Sequence, residues 1–183
     1  MRAFVAVFPP LEVRKTALSG ALEAVRRSGD KVRWTRPENV HLTLKFLGDI
    51  REEALNDLCA ALEETCKHHA PFDVGLTELG AFPSARRARI LWVGVGAGSE
   101  QLCSLATDVD AAFAPLGFER GGRPYVPHLT LGRVRGRPAR FDLSRASLNL
   151  GFRARRAKLV ESTLTEEGAV YRTVEAFALG EGS

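Results

Sequence analysis

Apolar residues along this 183-residue chain come alternately in unbroken runs and in spaced stripes. "AFVAVFP" (3–9) is a continuous apolar run closed by prolines, which predicts a buried strand. From 11 to 28, Leu11, Leu18, Leu22 and Val25 fall near the helical period, and Ser28-Gly29 predicts the stop. "NVHLTLKFLG" (39–48) reads as a strand closed by Gly48-Asp49. Over 51–67, Ala54, Leu55, Leu58, Leu62 and Cys66 line one helical stripe. "FDVGLTELGAF" (72–82) is extended.

The second half repeats the theme. "ARILWVGVG" (88–96) predicts a strand, and 99–115 a helix carrying Leu102, Leu105, Ala106 and Val109. "PHLTLGRV" (127–134) predicts another strand, with a short helix expected around 143–150. The segment 152–179 reads as two strands joined at Glu166-Glu167-Gly168. Strand, helix, His-x-Thr strand, helix and strand therefore occur twice. The expectation is α+β and bilobal: one domain, residues 1–183, built by internal duplication with one motif in each half.

The repeat is literal. "HLTL" at 41–44 returns at 128–131, so two of the chain's four histidines stand in identical tetrapeptides. On a strand, residues i and i+2 share a face. His41 and Thr43 then share one face, with Lys45 expected to join them, while Leu42, Leu44 and Phe46 share the other. The same holds for His128 and Thr130 against Leu129 and Leu131. A lone His–Thr pair on a strand is ordinarily structural; one pair on each half of a duplicated architecture points to a cleft. Two imidazoles facing across it suit phosphodiester cleavage, one taking a proton from water and the other giving one to the leaving oxygen. The threonines are placed to hydrogen-bond the non-bridging oxygens.

Composition narrows the class. No apolar run approaches the roughly 20 residues of a membrane span, and "MRAFVAVFPP" is too short in its apolar part for a signal peptide. Cys59, Cys66 and Cys103 show no metal or disulfide spacing, so a cytoplasmic setting is expected. The net charge is +4, and 21 of the 26 basic residues are arginine, concentrated in 86–89, 133–140 and 153–158. Arginine offers a planar fork to phosphate, which points to a polyanion such as RNA. Composition bias reads the same residues as ordinary solvated faces. A catalytic zinc would want three ligands, and neither tetrapeptide holds a second His or a carboxylate. No phosphate-cradling glycine loop with a following lysine is present.

At these residues the chain resembles the two-histidine phosphoesterase superfamily, whose signature is a pair of His-x-Thr/Ser-x motifs. "VRWTRPENVHLTLKFLG" (32–48), "GAFPSARRARILWVGV" (80–95), "VPHLTLGRV" (126–134) and "LVESTLTEEGAVYRTVEAFAL" (159–179) resemble its bacterial and archaeal RNA 2′,3′-cyclic phosphodiesterases, first named for 2′-5′ RNA ligase activity. The resemblance implies two lobes, each an antiparallel sheet flanked by helices, with the site in the cleft between them. It implies hydrolysis of RNA 2′,3′-cyclic phosphate ends to 2′-phosphates without metal, ATP or other cofactor. His41 is then the proton donor to the 3′ oxygen and His128 the base on water, with Thr43 and Thr130 on the phosphate. An arginine five residues after the second histidine is associated with phosphate in the family, and Arg133 matches it. Strict alternation puts Arg133 on the far face, unless Gly132 allows a bulge or the strand ends there. The partner expected is an RNA end, tRNA halves among the options, and a monomer is expected. Ligation of tRNA halves and a non-catalytic RNA-binding module are the alternatives. The histidines favour an enzyme, because arginine alone serves binding at every pH.

Overall fold

Five consecutive apolar side chains make the first strand, β1 (Arg2–Val7), buried on both faces, and it runs through the interior of the sheet. The computed structural model describes residues 1–25, 31–144 and 146–180. After β1 the chain runs α1 (Leu11–Val25), β2 (Val32–Trp34), β3 (Leu42–Asp49), α2 (Leu55–Lys67), β4 (Phe72–Phe82) and β5 (Ile90–Val95). It continues through α3 (Ser99–Phe113), β6 (His128–Val134), β7 (Ser147–Ala154), β8 (Arg156–Thr165) and β9 (Gly168–Ala178). The α+β class holds. The stop expected for the first helix at Ser28-Gly29 lies outside the described residues.

Among the described residues the nine strands form one antiparallel sheet in the order β7-β4-β5-β6-β3-β1-β8-β9, with β2 pairing β6 alongside. Its two halves mirror each other outward from the middle, β3-β1-β8-β9 on one side and β6-β5-β4-β7 on the other. They meet through a single residue pair, Leu42↔Leu129. Where β3 swings away, β2 occupies the edge of β6 from Trp34↔Gly132 to Val32↔Val134.

The helices cover one face of this sheet and cross the seam. α1 follows β1 but packs on β7 and β6 of the other half; α3 follows β5 but packs on β3 and α2. Gly20 permits the first crossing, since a Cβ there would collide with the Leu148 side chain. The core beneath them includes Leu42, Leu58, Leu62, Leu102, Leu105, Leu129, Leu131 and Leu159, all fully buried. Each such side chain contributes about 1.5–3 kcal/mol by leaving water.

Two expectations are corrected. α1 buries Ala17, Ala21 and Val25, whereas Leu11 and Leu22 are exposed. The close approach to Leu148 favours the small-residue stripe over the leucine one. The region around 143–150 holds no short helix among its described residues; Ser147 begins β7, which pairs with β4 from Glu78↔Ser147 to Phe72↔Ala154. Leu148, Leu150, Phe152 and Ala154 alternate at period two, the strand signal that decides the local structure. No helix of the described residues is long and apolar enough to cross a membrane.

Candidate active site

Leu42 and Leu129 face each other in the antiparallel seam, and each directly follows a histidine. Extended by one residue, that register sets His41 across from Thr130 and Thr43 across from His128. The local two-fold axis runs through the leucine pair. With Leu42, Leu44, Leu129 and Leu131 buried on the helix side, the four polar residues share the open face. The two histidines are then diagonal neighbours, a relation that separates side chains by about 7–8 Å. The charge of His128 is felt at His41.

The two rings are held in the same way. His41 Nδ1 lies 2.7 Å from the Asn39 carbonyl, and His128 Nδ1 lies 2.7 Å from the Val126 carbonyl. A carbonyl only accepts, so each Nδ1 carries the proton and each neutral ring presents Nε2 as a base. Asn39 is itself tied down, its side-chain amide donating to the Ala169 carbonyl of β9 at 2.7 Å.

Burial along the two strands follows one pattern from each histidine: outward, in, outward, in, in, out. The repeated "in" is a bulge. In the β1–β3 ladder Val5↔Lys45 is followed by Ala6↔Thr43, leaving Leu44 extra. In the β5–β6 ladder Leu91↔Gly132 is followed by Trp92↔Thr130, leaving Leu131 extra. Each bulge reverses the alternation beyond it.

The bulges decide two expected site residues. Arg133 is turned onto the open face; burial raises the pKa of Tyr171, whose ring lies beside His41, and the charge of Arg133 opposes that rise. Gly132 serves this geometry: a Cβ there would meet Val32 Cγ1 at 2.6 Å. Lys45 is corrected. The bulge sends it to the helix side, where it is buried, pairs with Asp110 of α3 and donates to the Glu119 carbonyl at 2.8 Å. It does not join His41 and Thr43.

Aromatic rings missed in the sequence surround both histidines. His41 stacks on Phe4 with centroids 4.7 Å apart, and Phe8 and Tyr171 follow at 5.2 and 5.4 Å. His128 lies 5.2 Å from Phe82 and 6.3 Å from Trp92. Phe4 and Phe8 sit at even positions of an apolar run whose two faces look alike in sequence, and nothing in the sequence pointed to Tyr171. This enclosure lowers the His41 pKa from 6.5 to about 4, through burial first, with the charges of Arg14 and His128 adding and the Asn39 bond opposing. Among the described residues no three His, Cys, Asp or Glu side chains come together as metal ligands would.

One face, two equivalent strands and two rings held alike define a two-histidine phosphoesterase architecture. The chain belongs to the LigT-like phosphoesterase family, whose model matches residues 9–92 and again 93–171. It is 34% identical to a protein named RNA 2′,3′-cyclic phosphodiesterase from Aquifex aeolicus, over 98% of each chain. One of the same name from Methanothermobacter thermautotrophicus is also 34% identical, over 98% of this chain and 99% of its own. Among solved structures, TT0787 of Thermus thermophilus superposes with a TM-score of 0.87 at 33% identity, covering 99% of this chain and 100% of its own.

Proposed function

We propose that this protein hydrolyses the 2′,3′-cyclic phosphate at an RNA end to a 2′-phosphomonoester by acid–base catalysis between His41 and His128. The observation that carries the proposal is the matched pair of imidazoles, each with Nδ1 committed to a carbonyl and Nε2 left to act as the base. The names of the relatives and the arginine-rich composition support RNA as the substrate class.

In the proposed step, water attacks phosphorus while His128 Nε2 takes its proton. The bond from phosphorus to O3′ breaks, and protonated His41 Nε2 gives its proton to O3′. The product carries a 2′-phosphate and a 3′-hydroxyl. Thr43 and Thr130 donate hydrogen bonds to the non-bridging oxygens, and Arg133 neutralises their charge. By itself His41 is neutral at pH 7; an arriving phosphate anion favours its imidazolium.

The depressed pKa of His41 favours one competing reading, in which the roles are exchanged and His41 is the base. The test of the function is incubation with a short RNA bearing a 2′,3′-cyclic phosphate, in EDTA, followed by identification of the monoester. A 2′-phosphate is expected. A 3′-phosphate means the leaving oxygen is misassigned, and absence of turnover overturns the proposal.

A further inference from the structure

Beside His41 the open face deepens into a pocket that includes Phe8, Arg14, Glu38, Lys158 and Tyr171. The Phe8 ring lines it, and two cations lie over that ring: Lys158 Nζ at 5.1 Å and Arg14 Cζ at 5.7 Å from the centroid. Arg14 is braced through one terminal nitrogen, which donates to the Pro37 and Glu38 carbonyls at 3.1 and 3.0 Å. Its Nε is buried with no partner among the described residues. Lys158 makes no ion pair among them. The Glu38 carboxylate offsets one charge, so the pocket remains net positive. None of these groups is used by the proposed hydrolysis.

We infer that this pocket is a subsite for a second phosphate, the one on the 5′ oxygen of the nucleotide that carries the cyclic phosphate. The inference rests on the proposed function, with His41 on the leaving-oxygen side. In an in-line displacement the attacking water and the leaving O3′ lie on opposite sides of phosphorus. If His128 holds the water, the ribose bearing O3′ lies toward His41. One ribose separates the two phosphates of a terminal nucleotide, and His41 and Lys158 each lie against the one Phe8 ring, at 5.2 and 5.1 Å from its centroid. An aromatic lining with two cations over it suits a ribose-phosphate lying across it. The subsite makes an internucleotide or 5′-terminal phosphate part of what the enzyme recognises, and a bare nucleoside cyclic phosphate a poor substrate.

The test compares uridine 2′,3′-cyclic phosphate with its 5′-phosphorylated form. The parent protein is expected to show a KM lower by about tenfold or more for the 5′-phosphorylated substrate, the scale of one charge-assisted contact. Lys158→Met is expected to remove most of that advantage, and Lys158→Arg, which keeps the charge, to retain it. Equal KM values in the parent overturn the subsite and leave the hydrolysis standing. Equal loss in both variants also overturns it, since charge is then not the cause. Turnover of neither substrate overturns the function itself. Calorimetry with uridine 2′-phosphate and uridine 2′,5′-bisphosphate then still decides, because equal affinities in the parent exclude the subsite.

Discussion

Phe46 and Arg133 occupy equivalent places in the two halves of the sheet, and they differ in kind. Each stands five residues after its histidine, past a bulge at Leu44 or Leu131, and each is turned outward. Phe46 is 75% exposed and lies 6.2 Å from the Phe4 ring that supports His41. The same backbone device thus presents an aromatic ring on the His41 side and a guanidinium on the His128 half. The near-symmetric site is chemically polarised by one residue pair.

Arg133 gives a prediction that does not depend on turnover. Its charge holds the Tyr171 pKa down against burial, which raises it. Arg133→Met is expected to push the Tyr171 phenol further up in an absorbance titration. The same variant is expected to weaken RNA binding and to reduce the slope of log affinity against log salt by roughly one. An unchanged Tyr171 titration would mean that Arg133 does not reach this face in solution.

The half-buried imidazole of His41 makes stability depend on pH in a definite window. Its folded pKa of about 4 lies below the ordinary 6.5, so the unfolded chain binds the proton more readily. Stability is fully present above about pH 6.5 and is lost as pH falls toward 4, by about 3 kcal/mol for this group. His41→Gln is expected to lose correspondingly less between pH 7 and pH 4, the carboxylates contributing alike to both proteins. Parallel denaturation curves for the two would contradict the buried environment.

Lys45 and Asp110 are expected to matter for the fold. Lys45→Met removes the cation from a part-exposed Asp110 that keeps the Gly121 N–H, a loss on the order of 1 kcal/mol for a pair open to solvent on one side. Denaturant titration is expected to show this loss, with substrate KM little affected. A variant of parental stability but raised KM would return Lys45 to the substrate face.

The roles of the two histidines separate on a substrate with sulfur at the 3′ bridging position. A thiolate leaves without a proton, so His41→Ala is expected to recover most of its deficit there. His128→Ala is expected to stay slow, because water still needs a base. On the oxygen substrate each variant is expected to lose on the order of 10²–10⁴-fold. Recovery by His128→Ala instead would exchange the roles.

The duplicated "HLTL" by itself determined that His41 shares a strand face with Thr43, and His128 with Thr130. That follows from a local rule, the two-residue period of a strand, which needs no knowledge of neighbours. The α+β class was legible for the same reason, since runs and stripes of apolar residues report their own local structure. Only the tertiary structure decided where that rule breaks. A bulge is set by the partner strand, β1 for Leu44 and β5 for Leu131; Gly132 in "LGR" allows one, and nothing within "LKF" announces it. Hence alternation alone assigns Lys45 to the wrong face and does not assign Arg133 to the right one. Crossing of the seam by α1, with an alanine stripe inward and Leu22 outward, follows from the close approach of Leu148, a residue of another strand. The aromatic enclosure of His41 gathers Phe4, Phe8 and Tyr171 from β1, the chain after it and β9. The depressed pKa of His41 is a product of that gathering, because desolvation belongs to the surroundings of a residue and not to its place in the chain.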